Sequence, residues 1–559
     1  MVVKRRVAIL LAGSVLGASF SMAIPAFAQD AQTEQQMQNQ INAMQKQLRA
    51  MQEQLAATKQ QASAAQQAVQ NIPPGLYNAA PPGAPMATKA PSWFDSVHLS
   101  MAGSFIAMEG AFRQRNEVSS GASDPPFSSL PLANSPLYSE NELRFSAQQS
   151  RLALKATGDI DPVQHTKGYF EMDFLGAGVT ANSRESNSYN LRIRQAFFEY
   201  DNDNWHFHMA AGQQWSLLAQ NRVGMLPNTE NVPLTIDAQY VAGFNWARQP
   251  EIKFIEDWNK VAWFGVSIAS PQTAFASNGN GVAGAPAFTP ATGLTVPPGL
   301  GVNPGNNCNA SGLLDSVTMC SNNVAPDIIE KVALDPGWGH FEALGLQRWF
   351  ADQVSTLAVP NSWSQNVTFG WGVGGNALLP AIPKFLDLQG SILYGQGIGR
   401  YASSQLPDAT IGPNGALTPI TALQFLVGAV AHPFAGNDVY VYYGQEQTQS
   451  NFWTAGATQG GWGNPNFPMS GCATQVLTST SGASFNASSG TCTANVQMVQ
   501  EFTVGFWQDF YKGDLGRLRY GLQYEYVQDT LFTGTGSAAG GLHPSNNIVF
   551  FSLRYYPFN

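Results

Sequence analysis

Charge is what this 559-residue chain has least of: Asp, Glu, Lys and Arg together make up only 12% of it. So little charge excludes an extended disordered chain. Long apolar runs are missing too. After Val7–Phe20 no stretch of ~18 apolar residues occurs, which excludes a membrane protein built on spanning helices. Basic residues are outnumbered, 28 against 37 acidic, for a formal charge of −9. Losing Lys4, Arg5 and Arg6 with a cleaved leader takes it to −12, which excludes a nucleic-acid binder as the expected class. Catalytic signatures are absent as well: no G-x-S-x-G, H-E-x-x-H or glycine-rich phosphate loop, and seven scattered histidines. Neither an enzyme nor a bound cofactor is expected. What is plentiful is glycine, 54 residues, and aromatics, 11%. With a mean hydropathy of −0.14, that mixture suits a transmembrane β-barrel, in which apolar and polar residues alternate and average out.

Residues 1–28 read as a secretory leader, with a basic end, an apolar stretch and the small-residue site Ala26-Phe27-Ala28. Residues 29–71 read as a helix. Ile41, Met44, Leu48, Met51, Leu55, Thr58, Ala62, Ala65 and Val69 step by three and four, a heptad seam that requires partner helices. A proline-rich linker, 72–95, separates it from the rest. The four cysteines fall as two close pairs, Cys308 with Cys320 and Cys472 with Cys492, in Asn/Ser/Gly-rich stretches. In an exported chain this suggests two local disulfides, although four cysteines allow three pairings and metal binding is the alternative chemistry.

From residue 96 to 559 the period changes to two. Sixteen candidate strands fall near 97–110, 142–158, 165–175, 190–201, 205–214, 240–256, 260–269, 326–335, 340–350, 366–377, 385–396, 420–431, 438–446, 497–510, 516–528 and 546–558. Their connections alternate long and short. "DIDP", "DNDN", "EDWNK", "DPGWGH", "HPFAGND" and "KGDLGR" have the composition of tight turns, whereas 111–141, 215–239, 270–325 and 447–496 are long. Short turns at one rim and long loops at the other are the pattern of outer-membrane barrels. An even count puts both ends of the barrel at the short-turn, periplasmic rim. The last strand, "NNIVFFSLRYYPFN", then closes against the first, with Val549, Phe551, Leu553 and Tyr555 toward lipid. No fixed-length repeat supports a propeller or solenoid.

The face opposite the apolar one must line a lumen. "SRLALKAT" sets Arg151 and Lys155 against Leu152 and Leu154, and "YFEMDF" sets Glu171 and Asp173 against Phe170, Met172 and Phe174. "NLRIRQ" sets Arg192 and Arg194 against Leu191 and Ile193. "GRLRYGLQYEY" sets Arg517, Arg519 and Glu525 against leucines and tyrosines, and Arg554 joins the inner set. Basic residues two apart on one wall, with acids on another, would place a field across a water-filled pore, and guanidinium matches a carboxylate bidentately. The alternative role for each charge is a salt bridge that stiffens the wall. Loop 216–239 is less polar than the other long ones, and either folds inward or lies at a subunit contact. "HFH" at His206 and His208 beside Trp205 reads as part of a rim aromatic girdle.

"SRLALKATGDID", "KGYFEMDFLG", "AGQQWSLL", "WARQPEIKF", "GWGHFEALGLQRWF", "GWGVGGNALLP", "YGQGIGRY" and "GDLGRLRYGLQYEY" occur in order over most of the chain. Together with the Gln-rich helix before them they resemble the DcaP-like trimeric porins of Gram-negative outer membranes. The resemblance implies a homotrimer of 16-stranded antiparallel barrels, joined through barrel walls and a periplasmic three-stranded coiled coil. It also implies passive uptake of small anionic solutes such as dicarboxylates. It adds Arg248 and Lys253 of "RQPEIK" to the candidate pore residues, beside Arg151, Lys155, Arg194, Arg517 and Arg519. A sugar-selective or general porin, using some of the 13 Trp and 17 Tyr as a stacking track, is the second reading, and an outer-membrane enzyme is a remote third.

Overall fold

The computed structural model describes residues 97–558 except 118–126, 128–129, 177–189, 238–239, 275–299, 304–323, 357–358, 360–361, 457, 474–491, 493–494 and 538–540. The leader, the 29–71 helix, the 72–95 linker, Cys308 and Cys320 lie outside the described residues. Nineteen strand segments form one antiparallel sheet, and three pairs of them are the two halves of one interrupted path, which leaves sixteen strands. In chain order these are β1 (Val97–Ser100 with Ile106–Arg113), β2 (Glu142–Ser146 with Arg151–Asp159), β3 (Gln164–Gly176) and β4 (Asn190–Asn202). β5 (Phe207–Trp215), β6 (Arg248–Trp258), β7 (Ala262–Ala269) and β8 (Leu300–Asn303 with Asp327–Leu334) follow. Then come β9 (His340–Thr356), β10 (Ser364–Ile382), β11 (Leu386–Gln396) and β12 (Thr421–Ala431). β13 (Asn437–Thr448), β14 (Val496–Gly513), β15 (Gly516–Leu531) and β16 (Ser545–Tyr556) complete the set.

Each strand pairs with its sequence neighbour, and β16 pairs with β1 from Ile106↔Tyr555 to Arg113↔Ile548, so the sheet closes on itself. A closed sheet leaves no row of unpaired backbone groups at an edge. The turns at one rim are short, such as 259–261 and 514–515, and Asn259 and Lys260 there adopt positive φ. The connections at the other rim are long. All sixteen expected strands exist, with two marked differences: β8 includes Leu300–Asn303 from the expected 270–325 loop, and β6 starts late. Its expected start near 240 is replaced by Arg248, because "YVAGFNWA" turns into the barrel, where apolar residues find as dry a surface as lipid would offer.

Period two separates the faces. Leu152, Leu154, Leu191, Ile193, Ile252, Phe254, Val549 and Leu553 are exposed on the outer wall. Their inward neighbours Ala153, Arg194, Lys253, Ile548, Ser552 and Arg554 are buried. Left in water, each outer Leu or Phe would forgo roughly 1.5–3 kcal/mol of burial.

Loop 216–247, between β5 and β6, folds into the bore. Trp215, Ile236, Val241 and Phe244 pack with Leu426, Tyr440, Tyr442, Trp507 and Phe550 of the β12–β16 wall. Leu217, Leu218 and Met225 pack with Ile255, Trp263, Ile329, Leu344 and Leu393 of the β6–β11 wall. Of the two expectations for this loop, the inward fold is the one adopted. A second segment, 397–420, seals the same side. Its Tyr401 hydroxyl donates to Asp327 (2.6 Å), and Arg348 of β9 pairs with Asp327 (3.1 Å) and Asp408 (2.9 Å), all buried. Cys472 and Cys492 form the expected disulfide, buried among Met469, Val496 and Leu531.

Two glycines permit the loop's close approach. Gly243 has φ of 78°. A Cβ on Gly444 of β13 would lie 1.7 Å from the Ala242 carbonyl oxygen. Gly444→Ala should therefore unseat the loop and cost about 1–3 kcal/mol in denaturant unfolding from detergent. Gly168→Ala on β3, where the added methyl meets nothing within 4 Å, should be neutral by the same measurement.

Candidate functional site

With the loop clamped to the β6–β16 walls, the polar faces of β2, β3 and β4 are left facing open space. A cavity of about 240 Å³ lies between them and the loop. Arg151 and Lys155 of β2, Tyr169 and Glu171 of β3, and Arg194 and Gln195 of β4 form one wall. Trp215, Arg222, Asn228, Glu230 and Val232 form the other. Four cations face two carboxylates.

Cross-strand register assembles the first wall: Arg151 lies opposite Asp173 and Lys155 opposite Tyr169. Between β3 and β4 the register slips by one residue, Glu171 pairing with Gln195 but Met172 with Ile193. The extra residue is Arg194, and the bulge turns both it and Gln195 toward the lumen. Arg194 then donates to Glu171 (2.5 Å) and Asp173 (2.9 Å). Arg192 grips Asp173 with two nitrogens (3.0 and 2.8 Å). Arg151 lies 3.7 Å from Glu171 and stacks on Phe105 at 5.1 Å. The Tyr169 hydroxyl donates to Glu171 (2.8 Å). Three arginines thus share two carboxylates. Lys155 and Arg222 form no ion pair among the described residues. Burial pushes the Glu230 carboxyl above its ordinary range, and Lys253, Lys167 and Lys331 draw it back.

The remaining expected residues are placed elsewhere. Arg248 stacks between Trp215 (4.9 Å) and Trp246 (4.5 Å) at the edge of the site. Lys253 lies behind the loop, donating to the Trp215 carbonyl (2.7 Å) and pairing with Glu251 (3.2 Å). Arg554 binds Glu109 (2.6 Å) and the Ile236 carbonyl (2.8 Å). Glu525 is buried beside Gln523 (3.2 Å). Arg519 pairs with Asp438 (2.8 Å) and Asp509 (3.2 Å), while Arg517 stacks on Tyr556 at the short-turn rim.

Sequence reading missed Arg222 and Glu230, whose only signal was charge within an otherwise weakly polar loop. It also missed the wall groups that hold the loop backbone. Glu446 and Glu501 accept the Gly243 and Ala242 amides (2.9 and 2.7 Å), Lys331 donates to the Ala219 carbonyl (2.7 Å), and Trp507 donates to the Leu234 carbonyl (2.7 Å). His208 is buried between Asp201 (2.6 Å) and Asp257 (3.1 Å), so it belongs to the lumen side and not to a rim girdle. Among the described residues no three His, Cys, Asp or Glu converge as a metal site.

No protein-family model matches the chain, and no curated protein matches it in sequence. Solved structures do. The outer membrane channel DcaP of Acinetobacter baumannii superposes with a TM-score of 0.51 at 14% identity, over 82% of this chain and 97% of that one. The chain has the porin fold. More distant likenesses are the anion-selective porin from Comamonas acidovorans (TM-score 0.38, 10% identity, 82% and 99% covered) and OprB of Pseudomonas putida (0.41, 8%, 83% and 94%). The likeness to DcaP expected from the motifs therefore holds for the fold. What the chain does with that fold is a matter for its own lumen side chains.

Removing Arg194 would leave Asp173 to Arg192 and Glu171 to Arg151 and Tyr169. Arg194→Ala is expected to lower stability by about 1.5–3 kcal/mol in denaturant unfolding. Lys155→Ala, which breaks no pair, should change it by less than about 0.5 kcal/mol.

Proposed function

We propose that the protein is an outer-membrane porin of a Gram-negative bacterium, a passive diffusion channel for small anionic solutes such as dicarboxylates. Three features support the membrane assignment: the closed sheet, the apolar outer face, and exposed aromatics at the strand ends, among them Trp205, Trp258, Trp338 and Trp363. Aromatic side chains at those heights suit the two membrane interfaces. The same placement removes them from any track for stacked sugars. The heptad seam at 41–69 and the DcaP-like motifs support a homotrimer joined by a periplasmic coiled coil.

The observation that carries the anion reading is the pair Lys155 and Arg222, on opposite sides of the cavity and without ion-pair partners among the described residues. Arg151, Arg192 and Arg194 are largely neutralised by Glu171 and Asp173, so they shape the wall while Lys155 and Arg222 supply the free charge. In the reduced dielectric of a constriction each unscreened cation is worth on the order of 1 kcal/mol to a passing anion. In planar bilayers under a KCl gradient, Lys155→Gln with Arg222→Gln should lower the anion-to-cation permeability ratio about three- to tenfold. An unchanged reversal potential would dismiss the anion reading. The membrane assignment has its own test: Leu154→Arg, on the outer face about midway between the rims, should weaken folding into lipid vesicles by about 2–4 kcal/mol.

A further inference from the structure

A second titratable group lies on the opposite side of loop 216–247, away from the cavity. Asp237 of the loop meets Glu501 of β14 and Glu525 of β15, and all three are 1% exposed or less. One glutamine ties two of them, Asp237 and Glu525, together. The Gln523 amide nitrogen donates to Asp237 Oδ1 and Glu525 Oε2, each at 3.2 Å. Its oxygen accepts the Ile236 amide (2.7 Å) and the Tyr440 hydroxyl (2.8 Å). Glu501 accepts the Ala242 amide (2.7 Å) and the Thr503 hydroxyl. Asp237 Oδ2 and Glu525 Oε1 are buried without a hydrogen-bond partner.

Among the described residues no cation forms an ion pair with the cluster. Among the described residues the charged groups that face it are Glu109 and Arg113 from β1, Glu117 from the loop after β1, Glu446 from β13 and Arg554 from β16. Arg554 is held by Glu109 (2.6 Å), and Arg113 by Glu142 (3.1 Å) and Glu117 (3.3 Å). Carboxylates buried together in this way cannot all ionise. Two donors on Glu501 can hold one negative charge there. A second charge, on an oxygen with nothing to bind, opposes the seated loop.

We propose that Asp237, Glu501 and Glu525 form a proton-operated latch, which holds loop 216–247 on the β13–β15 wall while protonated and releases it on ionisation. Burial, reinforced by Glu109, holds the Asp237 carboxyl up at about 7 against an ordinary 3.8, with Thr235 and Gln523 pulling the other way. A carboxyl whose value is raised in the seated state favours that state fully below about pH 4, and the contribution is lost as pH rises through about 7. Asp237 is five residues from Val232, and the same loop supplies Arg222 and Glu230 to the cavity, so the latch and the passage share one segment. The effect on conductance rests on the channel reading above; the release of the loop does not.

Amide hydrogen exchange of the full chain in detergent tests the release between pH 5 and pH 9, with rates normalised to intrinsic exchange. In the native sequence the Ile236, Ala242 and Gly243 amides should exchange at least about tenfold faster at pH 9 than at pH 5. The isosteric variants Asp237→Asn and Glu525→Gln should show less than about twofold change. A native profile flat across this range, or variants that follow the native profile, would overturn the latch. Bilayer conductance over the same range should rise in the native protein and stay level in both variants. Exchange that responds while conductance does not would support the latch and discard its link to the passage.

Discussion

A backbone that enters the interior of a barrel must find a partner for each amide and carbonyl it buries, from the chain, the wall or water. Loop 216–247 meets this constraint with a short internal bridge, Asn221 to Glu230, and with partners that the wall supplies. Glutamates receive the loop's amides at Ala242 and Gly243, lysines reach its carbonyls at Trp215 and Ala219, and Gln523, Tyr442 and Trp507 bind around Leu234–Ile236. Burying these charges is unfavourable unless each is hydrogen-bonded, so the loop and its anchors stabilise one another.

The anchoring is denser on the β6–β16 side, and that decides where open space remains. Apolar loop residues cover β6–β16, and Gly444 lets a loop corner touch the wall. β2, β3 and β4 meet the loop at fewer, polar points, among them Lys167 on the Pro227 carbonyl (3.2 Å), and their inward faces carry arginines and carboxylates. Their arginines and carboxylates pair among themselves through register and one bulge. Lys155 and the loop's own Arg222, which line the cavity and make no ion pair among the described residues, are the charges we propose a solute meets. An arginine-rich strand face is thus no direct measure of selectivity: pairing removes most of its field, and the unpaired side chains carry what is left.

The strands were legible because one face must be apolar and the turns need Asp, Gly, Asn and Pro, so period and composition agree at nearly every boundary. "YVAGFNWA" was not, since an apolar run reads alike whether it meets lipid or a barrel interior. The inward charges of β2–β4 could be read from alternation, but their pairing could not. Arg194 reaches both Glu171 and Asp173 only because the ladder slips by one residue, which no single-strand pattern encodes. Glu446 and Glu501 looked like ordinary polar positions. Their role depends on a loop more than 200 residues earlier in the chain.

The central claim, that the passage runs along β2–β4 because the loop occupies the rest of the bore, is tested most directly by thiol accessibility during current recording. Single cysteines at positions 155 and 253, both lysines on inward strand faces, are challenged with a small charged methanethiosulfonate reagent. Rapid current block at 155 and none at 253 is the predicted result. Equal block at both positions would mean that the loop does not fill that side, and would contradict the account.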